Sequence, residues 1–314
     1  MLKLTPQDHE KVKAGEVEVV KLLADPIGVE EKYIMAYIAI GKNSRVLIET
    51  GPKKSFDRLK ESLKEVGIEM REIDAVFLTH IHLDHAGGAG LVAKECNCPV
   101  YVHPRGLPHL IDPSKLNAAA ERTLGEFVFN AYGPAEPLPE EFARSTEEKV
   151  YSIGDVNVKV IFTPGHAPHH QAILINGVLF PGDALGEVTV WRGSYSPTTP
   201  HRTLPPMIID SIRKLMFEKV NSIAYTHRGI IIGKEEALKQ MHGEIEQIRT
   251  WLEVARIHSK ECKLDVECYK KYLLLADPLY KDLMESGELE KSKLLQNSIR
   301  MSIDGIARYV QGIK

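Results

Sequence analysis

The sequence predicts an α/β fold followed by a helical C-terminal extension, and three observations carry that prediction. Short β-branched and apolar runs alternate with helix-period segments across residues 17–233, the pattern of layered sheets and helices. Residues able to bind metal recur directly after those runs. Strand signals vanish after Gly233, where one apolar seam at helical spacing takes over. The chain therefore divides into an α/β body over residues 1–233 and a C-terminal helical subdomain over residues 234–314. At 314 residues it can bury a core without disulfide staples.

Residues 17–23 form the first predicted strand. Residues 33–40 and 45–49 follow, joined by the turn Gly41-Lys42-Asn43-Ser44 into a hairpin. In residues 55–66, Phe56, Leu59, Leu63 and Val66 share one helical face. Residues 75–78 are a short apolar strand that runs into Thr79-His80. Gly87-Gly88 open a helix through Glu95, and residues 100–102 are the next strand. Residues 116–130 are helical in pattern, and the prolines of 134–139 end them; this segment reads as an insertion or lid.

Residues 156–162 are a strand ending in Thr163-Pro164-Gly165-His166. Residues 172–175 and 178–180 pair through Asn176-Gly177, a strong hairpin signal. Residues 186–206, rich in Gly, Pro, Ser and Thr, read as a long loop of the kind that usually carries function. A helix over 207–218 and a strand over 220–225 complete the body. Beyond Gly233, Leu238, Met241, Ile245, Ile248, Leu252 and Ala255 step by three and four along one helix. That seam has two candidate occupants: the body of the same chain, which we expect, or a second copy in a homodimer.

The formal net charge of -3, with no long basic run, weighs against nucleic-acid binding. No stretch is apolar enough to span a membrane, and the charged first residues lack a secretory core, so a cytoplasmic protein is expected. Of the four cysteines, Cys96 and Cys98 are separated by one residue and read as free thiols. Cys262 and Cys268 flank a short loop, where free thiols are again preferred over a disulfide.

The run His80-Ile81-His82-Leu83-Asp84-His85 crowds three imidazoles and a carboxylate into six positions. Buried polar groups without partners are costly, and a metal site answers that need. Imidazole and carboxylate together suit zinc, iron or manganese. His166, Asp183 and His227 each stand just after a predicted strand, so loops at one sheet edge can gather them with the cluster. The isolated His9, His201, His242 and His258 are given no role.

The run His80 to His85, followed by Gly87-Gly88, resembles the signature of the metallo-β-lactamase superfamily. Thr163-Pro164-Gly165-His166, Gly182-Asp183 and Thr226-His227 resemble its later motifs, in the right order. The resemblance covers residues 17–233 and implies a four-layer αββα sandwich with a two-metal site at one edge. It implies that His80, His82 and His166 hold one divalent ion, that Asp84, His85 and His227 hold a second, and that Asp183 bridges them. Zinc is the expected metal, with iron and manganese compatible. Glu49 stands where the family usually shows aspartate and is expected to accept a hydrogen bond from a metal-bound imidazole. For His170 a structural hydrogen bond is expected, while His169 and His103 have no assigned partner.

The chemistry implied is hydrolysis. A water held between two divalent ions loses its proton near neutral pH and attacks an electrophilic centre. Asp84 is the catalytic carboxylate that accepts a hydrogen bond from this nucleophile. The order of core and helical tail is similar to glyoxalase II-type thioesterases, so the expected substrate is a small-molecule thioester, ester or lactone. The alternative is a phosphodiesterase or ribonuclease on the same metals, with Lys270, Lys271, Lys281, Lys291 and Lys293 on the tail; interleaved acids favour a solvated face there. Arg105, Trp191, Tyr195 and Arg228 are candidate substrate contacts.

Overall fold

Two β-sheets lie face to face in a computed structural model that describes residues 10–26, 33–188, 195–227 and 229–313. The first sheet follows chain order: β1 (Lys11–Ala14), β2 (Val17–Leu23), β3 (Met35–Ile40), β4 (Arg45–Ile48), β5 (Ala75–Phe77), β6 (Val100–Val102) and β7 (Ala143–Ser145). Strands β1 to β4 are antiparallel, and β4 to β7 are parallel. The second sheet contains β8 (Val150–Ile153), β9 (Val156–Phe162), β10 (Gln171–Ile175), β11 (Val178–Phe180), β14 (Ser222–Ala224) and β15 (Ile230–Ile232), ordered β15-β14-β11-β10-β9-β8. A separate ribbon pairs β12 (Glu187–Val188) with β13 (Tyr195–Ser196).

The period-two rule explains the layers. In β3, Met35, Tyr37 and Ala39 face the second sheet, while Ala36 and Ile38 face outward. In β10, Ile173 and Ile175 face the first sheet, while Ala172 and Leu174 face outward. Both faces of these strands are buried, so they read as continuous apolar runs rather than alternating ones. The outer face of the first sheet is covered by α1 (Phe56–Glu65), α3 (Ala89–Cys96), α4 (Pro108–Ile111) and α5 (Ser114–Tyr132), through residues such as Leu59, Leu63, Val92, Leu110 and Val128. The single turn α2 (Leu83–Ala86) precedes α3. Helix α5 is bent at Gly125, whose φ is 76°, and its Val128 and Tyr132 belong to the core.

The outer face of the second sheet is covered by α6 (Pro205–Met216) and α7 (Lys234–Cys262). Then come α8 (Val266–Ala276), α9 (Pro278–Glu285), α10 (Glu288–Lys291) and α11 (Lys293–Val310). The seam residues Met241, Ile245, Ile248, Leu252 and Ala255 are buried against the same chain, in one core with Ile208, Ile212 and Ile223. No helix of the described residues is long and apolar enough to cross a membrane.

Three features depart from the sequence expectation. Both cysteine pairs are joined, Cys96 to Cys98 and Cys262 to Cys268, with Cα atoms 5.2 and 5.4 Å apart. Asn97, at φ 55°, turns the chain back at the end of α3. Asp265 accepts the backbone N–H groups of Glu267 and Cys268, which folds α8 back onto the end of α7. The segment read as a loop over 186–206 contains the β12–β13 ribbon and ends in α6, where Pro205 and Pro206 occupy the first turn. Proline suits that position because its missing N–H has no helical partner there. Trp191, Arg228 and His9 lie outside the described residues, as does the side chain of Tyr195.

Candidate metal centre

All seven candidate ligands meet at one edge of the sandwich. Strands β9, β11 and β14 run the same way, because β9 and β11 both oppose β10, and β11 is parallel to β14. Their C-terminal ends therefore deliver His166, Asp183 and His227 to a common edge. From the other sheet, β5 delivers Thr79 and His80. His82, extended at φ -60° and ψ 154°, starts the single turn of α2 that carries Asp84 and His85.

The seven side chains fall into two groups: His80, His82, His166 and Asp183 in one, Asp84, His85 and His227 in the other. In the first, His82 Nδ1 lies 2.9 Å from His80 Nε2 and 3.0 Å from His166 Nε2. Asp183 Oδ2 is 3.3 Å from His166 Nε2 and 3.9 Å from His80 Nε2. In the second, Asp84 Oδ2 is 3.4 Å from His227 Nε2 and 3.8 Å from His85 Nε2. Asp183 turns its other oxygen, Oδ1, to this group, 3.2 Å from His85 Nε2 and 3.6 Å from His227 Nε2.

Outer contacts fix which nitrogen each ring presents. The Thr79 hydroxyl donates to Glu49 Oε1 and so accepts from His80 Nδ1 at 3.1 Å. His166 Nδ1 donates to the Thr198 carbonyl at 2.8 Å, and His85 Nδ1 to Glu49 Oε1 at 3.1 Å. Each of these three imidazoles thereby aims an Nε2 lone pair inward, the arrangement that metal-binding histidines adopt. Glu49 is buried, with φ 65°, a conformation that costs a non-glycine residue on the order of 1 kcal/mol. In return its carboxylate reaches both Thr79 and His85.

His170 acts structurally: it accepts the Asp183 backbone N–H at 3.1 Å through Nε2, and its Nδ1 lies 2.8 Å from the Thr163 hydroxyl. A Cβ at Gly182 would fall 2.5 Å from Thr79 Oγ1 and 2.7 Å from His170 Nε2, so glycine alone fits at this φ of 52°.

A cation fits this donor set. His80 Nε2 and His166 Nε2 are both acceptors, yet His82 Nδ1 carries at most one proton to share between them. His85 Nε2 and Asp183 Oδ1 are buried and face each other at 3.2 Å, but without the geometry of a well-formed hydrogen bond. Metal ligation satisfies all of these lone pairs together.

Without metal the charges are unevenly balanced. Burial, then the neighbouring imidazoles, pushes His80 well below its ordinary value and His82 down to about 3. Burial also lowers His166, His170, His169 (to about 2) and His103 (to about 4). For His85 burial opposes the proton, but Asp183, Asp84 and Glu49 outweigh it and raise the ring well above its usual value. His227 is raised likewise: its hydrogen bond to Asp84 and the charge of Asp183 overcome burial. Burial works against the Asp84 carboxylate, yet His85 and His227 hold it at about 2.

These shifts give a sign. A lowered imidazole binds no proton in the folded state where the unfolded chain, with a pKa of about 6.5, does. Its contribution is complete above about pH 6.5 and is lost as pH falls towards the folded value. His85 and His227 act oppositely, stabilising at low pH and losing this contribution as pH rises through their folded values. Six lowered rings outnumber two raised ones. The chelator-treated protein is therefore expected to melt at a lower temperature at pH 5 than at pH 7 by circular dichroism. A higher melting temperature at pH 5 would contradict this balance.

Sequence reasoning missed three participants. The Tyr33 hydroxyl donates to the buried Glu187 at 2.5 Å, and its ring lies 4.8 Å from that of His227. Thr198 binds His166 through its carbonyl and donates its hydroxyl to the Asp183 carbonyl at 2.6 Å. Only strand-end tyrosine patterning could have pointed to Tyr33, and nothing marked the other two. His169 lies beside the cluster, its ring 5.8 Å from His82. His103 instead accepts the Arg105 backbone N–H at 3.1 Å and packs on Phe162.

Residues 30–227 match the family model of the Metallo-beta-lactamase superfamily. A metallo-beta-lactamase fold-containing protein of Sulfurisphaera tokodaii is 26% identical over 237 residues, covering 74% of this chain and 87% of its own length. The crystal structure of an archaeal superfamily member from Sulfolobus tokodaii superposes with a TM-score of 0.62 at 26% identity, over 73% of this chain and 85% of that one. A probable metallo-hydrolase of Methanocaldococcus jannaschii is 29% identical over 157 residues, 50% of this chain and 69% of its own. A Thermus thermophilus metallo-beta-lactamase family protein shares the fold across the helical tail as well, with a TM-score of 0.63 at 19% identity over 94% of this chain and 93% of that one. The family match over residues 30–227, on a sandwich whose edge gathers five histidines and two aspartates, shows that the chain belongs to the metallo-beta-lactamase superfamily of hydrolases.

Proposed function

We propose that the chain is a dinuclear metal-dependent hydrolase that cleaves a thioester, ester or lactone bond in a small molecule. The observation that carries the reading is Asp183, one carboxylate with an oxygen turned to each ligand group. His80, His82 and His166 would hold one divalent ion, Asp84, His85 and His227 the other, and zinc suits both sets. Bound there, such ions polarise a substrate oxygen and acidify water at neutral pH.

The chain's own residues supply the rest. Asp84 and His82 are the least buried of the seven ligands, so they border the open side of the site. Asp84, like any ionised carboxylate, offers acceptors only, the form in which it could take a hydrogen bond from an attacking water. His170 and Thr198 hold Asp183 from its backbone side, and Glu49 holds His85, so the ligands stay in place while substrate exchanges.

Relatives support the substrate class. An N-acyl homoserine lactonase of Rhizobium radiobacter is 24% identical over 185 residues, 55% of this chain and 61% of its own. A hydroxyacylglutathione hydrolase of Idiomarina loihiensis is 22% identical over 157 residues, 50% of this chain and 47% of its own. The test is a panel of thioester, lactone, β-lactam and phosphodiester substrates offered to zinc-, iron- and manganese-loaded protein. Turnover of a thioester or lactone is expected. Turnover of phosphodiesters alone would replace this reading with a nuclease.

A further inference from the structure

The helical subdomain reaches the first ligand group through one short segment. On α11, Ser302 and Gly305 are three residues apart and share a face. Ser302 Oγ accepts the Thr199 backbone N–H at 3.1 Å, and its carbonyl accepts the Thr199 hydroxyl at 2.9 Å. A Cβ at Gly305 would lie 1.8 Å from the Thr199 carbonyl oxygen and 2.7 Å from the Pro200 carbonyl, so this segment rests directly on helix backbone. The next residue towards the N-terminus is Thr198, whose carbonyl takes the Nδ1 proton of His166 and whose hydroxyl binds the Asp183 carbonyl. Two residues thus separate the C-terminal helix from two of the four ligands in that group.

We propose that Ser302 and Gly305 are positioning residues of the metal centre: by clamping residues 198–200, α11 sets the orientation of His166 and the place of Asp183. This rests on the reading that those side chains hold a cation. The Thr198 carbonyl is a backbone group, so its aim depends on what grips its neighbours. The grip pairs two polar groups of Thr199 in a buried site 103 residues away in sequence. A helix that merely sealed the core through Ile299, Ile303 and Ile306 would need neither a serine nor a glycine at this contact.

The experiment uses the full chain with Ser302→Ala, Gly305→Ala and, as a control, Ile299→Ala, which empties a buried core site on the same helix and removes no group that hydrogen-bonds Thr199. Zinc affinity is read by competition with a chromophoric chelator, and ligand geometry by the visible spectrum of the cobalt-substituted protein. Ser302→Ala and Gly305→Ala are expected to weaken zinc binding by about tenfold to a hundredfold, as lost outer contacts do, and to shift the cobalt bands. Ile299→Ala is expected to lower the melting temperature yet keep wild-type affinity and spectrum. Should Gly305→Ala fail to fold, Ser302→Ala decides. Wild-type affinity and spectrum in Ser302→Ala, or an equal loss in Ile299→Ala, overturns the proposal. A wild-type chain that takes up no zinc and no cobalt overturns the ligand reading and the proposal with it, a result distinct from the other two.

Discussion

Asp183→Asn is expected to lower turnover by about three orders of magnitude or more and to reduce bound metal from the proposed two ions per chain to one or fewer. The side chain keeps its size, so the chain should fold with unchanged circular dichroism. What it loses is charge and one of two equivalent oxygens. In the wild type those oxygens face His166 at 3.3 Å and His85 at 3.2 Å. An amide can offer oxygen to one side only and would turn N–H hydrogens towards the other. The first group would then have three neutral imidazoles and no anion against a divalent charge. Metal assistance is worth several kcal/mol at the transition state, and each 1.4 kcal/mol or so is a factor of ten in rate. Activity within tenfold of wild type, with two ions still bound, would remove Asp183 from its assigned place.

The second large effect concerns stability. Trp251→Ala should lower the unfolding free energy by about 3–5 kcal/mol, the usual range for emptying a large aromatic site. Trp251 is fully buried on α7, and its ring meets that of Tyr280 edge-on with centroids 5.8 Å apart. Its indole N–H also donates to Asp277 Oδ2 at 2.6 Å, alongside Gln247 Nε2 at 2.8 Å. The other oxygen of Asp277 caps α9 by accepting from Leu279 and Tyr280 N–H groups at 2.9 and 3.2 Å. One substitution therefore opens a cavity and strips a buried carboxylate of a donor. Denaturant unfolding should show a lower midpoint with unchanged slope. Trp251→Phe, which refills much of the space without the N–H, should fall between the two. A loss below about 1 kcal/mol for the alanine variant would show that α7 is held by other contacts.

What could be read in advance follows from how each feature is encoded. The gathering of the seven candidate ligands was legible because metal chemistry restricts residue type, and because strands β5, β9, β11 and β14 place those types directly after apolar runs. Strands β3 and β10 were legible as apolar runs, but which residues face inward was not, because burial on both sides removes the alternation that would mark a face. Thr198 was not legible, since it works through a carbonyl that every residue owns. Glu187 was hidden because its partner Tyr33 lies 154 residues away. Short edge strands such as β7, with three residues, carry too little pattern to register. The cysteine pairs depend on a left-handed Asn97 and on the cap at Asp265, which spacing alone does not reveal.

Both ligand groups draw on both sheets: His80, His82, Asp84 and His85 come from the first, and His166, Asp183 and His227 from the second. During synthesis, then, a growing polypeptide carries the aspartate and histidines of its early half long before it owns a complete chelate. The first set closes only after residue 183 has been made, and the second waits for residue 227. Premature capture of a loosely held ion by the early half would leave it with an unfinished coordination sphere, easily surrendered to competing cellular ligands. On the proposed metal reading, loading would be a late event in the life of the molecule, timed by the order in which its strand ends are born.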